Sequence, residues 1–513
     1  MGSIDQALTR AADDRAMCSS APIYCLPDEL LIKIFAVVLA LDCSDGGHRP
    51  LITLGLVSTN WSRIVFETPS LWGHISSSHS DEENRAAIRL SKGYTLRVDY
   101  DDDQLEQGGG YEAAFIRSAS QEAHRWQSAD LRLGNNTLPL LHDFVTLAVP
   151  RLEELRINCD RVSEAVLEGV SIDILGGGVA DRLRHVMLCD FPIPWNSHLF
   201  ARLETLSIIT TLAFLAPTTD EITAILRQCP ELREFSLIKP GGDEMRVPAA
   251  TLAETEVVHL PVLTSFGLCL LNDEAFNRII SSVRFPACTK FDFKCYRPAS
   301  SIISGGTGHL TAVLSSKIQS LLNISLILTP RGLDLVGTRG PGNSRFSLFI
   351  SHTSSWEDLA QLIEHITGSI RWPPVQASIS CQDSIPFLQV ADLLRRIPSI
   401  TKLNLIGHSD RHIALLSQPI LNNGRYEWVL PNLEGLYLEG SAQNDVQLLI
   451  DFQAKRQEGA GMYRGDGVPL GLPTKLETIY VSGPFREKQL DIGPFYTALQ
   501  ELKGEDWDGN LIN

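Results

Sequence analysis

The chain has 513 residues, 44% of them apolar and 20% charged, and its 44 Lys and Arg against 61 Asp and Glu leave a net charge of -17. That composition supports extensive globular cores, and the length corresponds to three or four domains unless the chain is a repeat array that grows in one dimension. A surface this negative repels phosphate backbones and anionic lipid, so nucleic acid and membrane are excluded as expected partners.

Ten cysteines are scattered without a C-x-x-C pair, mostly within apolar runs, which suits buried thiols in a reducing compartment. No window reaches about 18 uninterrupted apolar residues, and the first residues lack the basic and apolar regions of a signal peptide. Gln6 stands where a myristoylation motif needs Ser or Thr. The expected location is the cytoplasm, the nucleus or both.

Residues 1–22 are small and polar and read as a flexible leader. Structure is expected to begin at Leu26. Leu30, Leu31, Ile34, Phe35 and Val38 recur with a period near 3.6 and predict a helix, opened by Pro27 at its first position with Asp28 and Glu29 at the positive end of its dipole. Gly46, Gly47 and Pro50 break it. Leu51, Leu54, Val57, Trp61, Ile64 and Val65 then form a second helical stripe, weakened by Gly55 at about 1 kcal/mol relative to Ala. A unit of fifty residues encloses only about 60% of its unfolded surface, so part of its apolar face must meet something else. It either caps a larger core or docks a separate protein.

The blocks "LPDELLIKIF", "LVSTNWSRIV" and "TPSLWGHI" resemble, in that order, the F-box. The resemblance covers residues 23–76 and implies a Skp-type adaptor of SCF ubiquitin ligases as partner, with the cullin scaffold beyond it. It implies adaptor-binding roles for Leu26, Pro27, Leu30, Ile34 and Phe35 of the first block, Val57 and Trp61 of the second, and Leu71 and Trp72 of the third. The linker "DCSDGGHRP" is longer than a minimal turn.

After residue 90 the pattern changes. "YTLRVDY" and "SADLRLG" predict two strands. Nine frames follow with apolar or small residues at positions 0, +3 and +5, their first members being Leu152, Leu183, Leu203, Leu232, Leu263, Cys288, Ile400, Leu433 and Leu476. Six carry a Pro just before the frame. Spacings in the twenties and thirties mark a solenoid. The +3 and +5 residues share one face of a short strand, and "TDEITAILRQCP" has helical spacing with a capping box from Thr218 and Glu221. Between Cys288 and Ile400, the stretch 321–351 alternates in strand fashion around turn signals, as an antiparallel insertion or as two poorly matched repeats, and "SSWEDLAQLIEHI" reads as a capped helix. "QAKRQEGAGMYRGDGVPLGLP" reads as an inserted loop.

The frames resemble leucine-rich repeats. The second signature of that family, Asn or Cys three residues past the strand, is replaced by Asp160, Phe191, Thr211, Pro240, Leu271, Tyr296, His408 and Ser441, which implies an irregular array. The expected fold class is therefore α/β. A short helical F-box leads into a leucine-rich-repeat-like solenoid over 90–513, with parallel strands on one face, helices on the other and an irregular insertion near 300–351.

Strings that suggest chemistry are incomplete. "LNLIGHSDR" places Ser409 after a strand, but Arg411 replaces the second Gly of a nucleophile elbow. Asp99, Asp101 and Asp103 have calcium-loop spacing, yet Gln104 and Gly110 occupy the Gly and Glu positions, so an acidic solvated loop is expected. "SGGTGHLT" and "LGGGV" lack a phosphate-loop Lys, and the histidines and cysteines show no zinc spacing. No catalytic residue, cofactor or metal is expected. The expected function is substrate recruitment for an SCF-type ligase, with an unknown target protein held by the repeats; the alternative is a repeat scaffold that binds proteins independently of ubiquitin.

Overall fold

The computed structural model describes residues 26–41, 48–102, 111–135, 148–173, 180–239, 257–269, 273–294, 345–351, 375–380 and 478–482, with residues 23, 137 and 138 and most of 314–338, 391–406 and 413–439. The chain divides into two compact units, Met1–Leu203 and Glu204–Asn513.

The first unit opens with three helices: α1 (Asp28–Leu41), α2 (Arg49–Gly55) and α3 (Thr59–Glu67). Pro27 stands just outside α1, and its carbonyl accepts from the N–H groups of Leu30 and Leu31. Acidic Asp28 and Glu29 fill the first turn, where the helix dipole favours them. The second apolar stripe is split into two helices. Pro50 lies in the first turn of α2, where its missing N–H costs nothing, and Gly55 is the last residue of that helix. Ser58 caps α3, its hydroxyl accepting from the Trp61 N–H at 3.1 Å. A 3-10 turn, Pro69–Trp72, closes the helical part.

Five strands follow in the same unit: β1 (His74–Ser76), β2 (Leu96–Asp101), β3 (Trp126–Arg132), β4 (Glu154–Asn158) and β5 (His185–Cys189). They lie side by side in chain order, every pair parallel. Helix α4 (Asp81–Leu90) joins β1 to β2, opened by a capping box between Ser80 and Glu83, and α5 (Tyr111–Gln121) joins β2 to β3. The buried Asn84 of α4 pins it to β1 by accepting from the Ser76 N–H at 3.1 Å and donating to the Ser76 carbonyl at 2.8 Å. A short helical turn, α6 (Glu164–Leu167), lies between β4 and β5. Asp99 and Asp101 stand in β2, not in the solvated loop expected for them. Asp99 pairs with His74 and Arg97, and Asp101 lies 3.6 Å from Arg132. Pairing explains the difference, because alternate positions of β2 meet the His74 ring on β1, Arg97 of the same strand and Arg132 on β3.

The second unit contains β6 (Thr205–Ile209), helix α7 (Thr219–Gln228), β7 (Glu234–Ile238), β8 (Val258–His259), β9 (Ser265–Cys269), helix α8 (Asp273–Ser282), β10 (Val283–Arg284) and β11 (Lys290–Lys294). Beyond these come β12 (Asn323–Thr329), β13 (Gly332–Thr338), β14 (Arg345–Ser351), β15 (Val375–Ser380), β16 (Ile400–Ile406), β17 (Ile420–Asn422), β18 (Arg425–Glu427), β19 (Gly435–Glu439) and β20 (Thr478–Ser482). Its main sheet runs β6-β7-β9-β11-β14-β13-β12-β15-β16-β19-β20. Within that sheet, among the described residues, only the β14-β13-β12 meander is antiparallel; β17 and β18 form a separate antiparallel pair. The predicted capping box of α7 forms, with the Thr218 N–H donating to Glu221 Oε2 at 2.7 Å and the Glu221 N–H to Thr218 Oγ1 at 3.2 Å.

The architecture is mixed α/β with a large, mostly parallel sheet that does not close into a barrel in either unit. Each of the nine frames gives a strand beginning at its +2 position or, for β16, at its first. In the eight frames whose side chains are described, every residue at 0, +3 and +5 is 3% exposed or less. Alternation along the strand sends +3 and +5 to the same buried face. In the second unit that face is rich in aromatic rings: Phe266 stacks on Phe235 and Phe285, and Phe276 meets Phe293 edge to face at 5.2 Å. Cys159, Cys189, Cys229, Cys269 and Cys288 are buried. Burial pushes the Cys189 and Cys288 thiols up to about 12, which removes them as nucleophiles at neutral pH. The helix predicted at "SSWEDLAQLIEHI", the leader, the glycine-rich strings, Ser409 and the loop at 453–473 lie outside the described residues.

Candidate partner-docking site

Helix α1 has two apolar faces. Leu31 and Phe35, four residues apart, are fully buried; Leu30 and Ile34, four apart and rotated by one residue, are 44% and 39% exposed. Val37 continues the outward row at 57%. The single stripe read from the sequence therefore divides into an inward and an outward pair, because adjacent residues lie about 100° apart on a helix.

The inward side builds the core. Phe35 meets Trp61 edge to face, ring centres 4.9 Å apart, and both pack with Leu51, Ile64 and Val65 among the buried residues of the three helices. Trp72 is buried, donates from Nε1 to the Val65 carbonyl at 2.7 Å, and lies stacked between Phe66 at 5.8 Å and His48 at 5.1 Å. Thus the nine residues expected to bind a partner fall in two places. Phe35, Trp61, Leu71 and Trp72 are enclosed by the unit itself and hold the helices in position. Pro27, Leu30, Ile34 and Val57 are exposed and Leu26 is half-buried.

Five exposed apolar residues of this part of the chain escape the sequence reading: Ile23, Val37, Ile52, Leu56 and Phe66, with Leu56 at 82% exposure the most open of all. For the last four the signal was present, since a helix that carries apolar residues off its core stripe has more than one apolar face. The rim is polar. Asp28 at the start of α1 pairs with Arg63 of α3 at 2.5 Å, and Arg63 also bonds Asn60 at 3.0 Å. Both ends of the Asp28–Arg63 pair are nearly half exposed, so it orients the two helices more than it stabilises them.

Behind α2 lies a histidine cluster. His48, 3% exposed, precedes α2 and its carbonyl accepts from the Ile52 N–H at 3.1 Å. Its ring is 5.0 Å from that of His79, which is 5.3 Å from that of His74, whose Nε2 bonds Asp99 Oδ2 at 2.8 Å. The Nδ1 atoms of His48 and His79 are buried and hydrogen-bond to no atom of the described residues. Burial, aided by the neighbouring His79 and His74, pushes the His48 imidazole down to about 4, and burial likewise lowers His79. Asp99 is itself pushed up by burial, but bonds from His74 and Arg97 bring it below the ordinary carboxylate range. Among the described residues no group of three or more His, Cys, Asp or Glu is placed to hold a metal ion, and no helix is long and apolar enough to cross a membrane.

The described residues of 26–72 thus form a small helical module that buries one apolar face and exposes another. The family model for F-box-like domains matches residues 23–78, and this part of the chain is an F-box-like domain. No curated protein matches the chain. F-box domains bind Skp-type adaptors in SCF complexes, so the domain suggests an adaptor role in ubiquitin ligation.

Proposed function

We propose that the chain is a substrate-recruiting subunit of an SCF-type ubiquitin ligase. Its F-box-like domain docks the Skp-type adaptor, the cullin scaffold joins through that adaptor, and the strand-rich remainder, read as a degenerate leucine-rich-repeat solenoid, holds a target protein. The observation that carries the reading is the outward position of Leu30 and Ile34 within the matched domain. Covering such side chains releases roughly 25 cal/mol for each Å² of apolar surface removed from water, and the aromatic core beneath holds them in place before the partner arrives. The chain performs no chemistry in this scheme. It raises the effective concentration of target at the ubiquitin-loaded enzyme.

Affinity purification of the full chain from cells containing the adaptor and cullin tests this. Recovery of both with the wild type, and loss of both with the double change Leu30→Ala and Ile34→Ala, is the expected result. Failure to recover the adaptor where a known F-box protein does so favours the ubiquitin-independent scaffold.

A further inference from the structure

We propose that His48, His79 and His74 form a proton-operated latch that holds α2 against Trp72, so that acidification loosens the docking surface. The inference rests on the adaptor-docking reading and concerns the regulation of that same site. Three imidazoles stand ring to ring, 5.0 and 5.3 Å apart, with His48 stacked on Trp72 at 5.1 Å. Neutral rings fill that space as apolar groups do. The ring has a backbone hydrogen bond with His74, but a further proton placed on its Nδ1 finds no acceptor among the described residues.

The charged and titratable groups around it are few. From the turn after β1 His79 faces His48, from β1 His74, and from α4 Glu83. His79 in turn faces His74, Glu83, Asp99 and Asn84. Both carboxylates are committed elsewhere: Glu83 accepts from the Ser80 N–H and hydroxyl at 2.9 and 3.0 Å, and Asp99 is held by His74 and Arg97. The His74 backbone bond and the Glu83 charge favour a proton on His48, but burial beside His79 and His74 outweighs them, so a charged His48 gains by reaching water outside the Trp72 stack. Because the His48 carbonyl accepts the first bond of α2, departure of His48 frays the helix that carries the exposed Ile52 and leads into Leu56.

With the His48 imidazole pushed down to about 4 in the closed form and at its ordinary 6.5 in the open one, the opening equilibrium rises roughly 30-fold between pH 7.5 and pH 5. Hydrogen exchange of amides 49–57 in the full-length chain, corrected for intrinsic rates, measures it. The latch predicts that rise in the wild type, less than about 3-fold in His48→Phe, which keeps the stack without titrating, and a matching loss of affinity for purified Skp-type adaptor at pH 5. Unchanged protection in the wild type, or the same pH dependence in His48→Phe, overturns the latch. Should His48→Phe fail to fold, His79→Gln decides: relief of repulsion must shrink the pH dependence, and an undiminished one contradicts the latch. If the adaptor does not bind even at pH 7.5, the docking reading fails while the exchange data still judge the latch.

Discussion

Individual side chains of the F-box-like domain divide between holding and displaying, and the two roles predict opposite outcomes. Phe35→Ala removes a fully buried ring that packs on Trp61 and is expected to cost about 3–5 kcal/mol. Leu30→Ala, at a residue 44% exposed, is expected to change stability by no more than about 0.5 kcal/mol. Urea denaturation followed by tryptophan fluorescence separates them; similar losses for both changes would remove the distinction. The F-box resemblance implied partner contact for both residues, while the periodicity of the sequence placed both on one stripe, because it detects apolar residues and not the direction of the core. The histidine cluster had no sequence signal, since residues 48, 74 and 79 come from three separate elements. Its effect on stability has a definite sign. His48 is pushed down to about 4 when folded, so between pH 4 and 6.5 the unfolded chain binds more protons. The stability contribution is complete above pH 6.5 and is lost as pH falls toward 4, by about 3 kcal/mol in all. A pH series of urea midpoints for wild type and His48→Phe checks this, with a flatter curve expected for the variant.

At the scale of elements, strands were legible where a leading apolar residue and two alternating ones recur, since that spacing leaves one buried face whatever the neighbours are. Six described strands, β1, β8, β10, β15, β17 and β18, had no such frame and no other signal, and most of them are only two or three residues long. β1 is only three residues long, and β15, Val375–Ser380, alternates small side chains without a preceding Pro-Leu signal. The meander was left open between two arrangements, because side chains alternate with period two in either strand direction. The structure sets β14 beside β11 and β12 beside β15, both parallel, and carries the reversal through β13. The junction between the helices and β1 depends on close backbone approach. A Cβ added at Gly73 would lie 2.9 Å from the Thr95 carbonyl oxygen, beside the bond that the Arg97 N–H donates to the Gly73 carbonyl at 2.7 Å. Gly73→Ala is expected to cost about 1–3 kcal/mol, read as a lower urea midpoint; an unchanged midpoint would show that the junction yields without strain.

For the whole molecule, an F-box-like domain of about a tenth of the chain precedes a long succession of mostly parallel strands, nine of which carry the frame. Titration calorimetry of the full-length chain with purified Skp-type adaptor at pH 7.5 tests the central claim most directly. The account predicts a one-to-one complex with a dissociation constant of about 1 μM or tighter. Leu30→Ala with Ile34→Ala should weaken it at least about 10-fold at unchanged stability. Absence of binding at tens of micromolar, or equal affinity for the double variant, would contradict it.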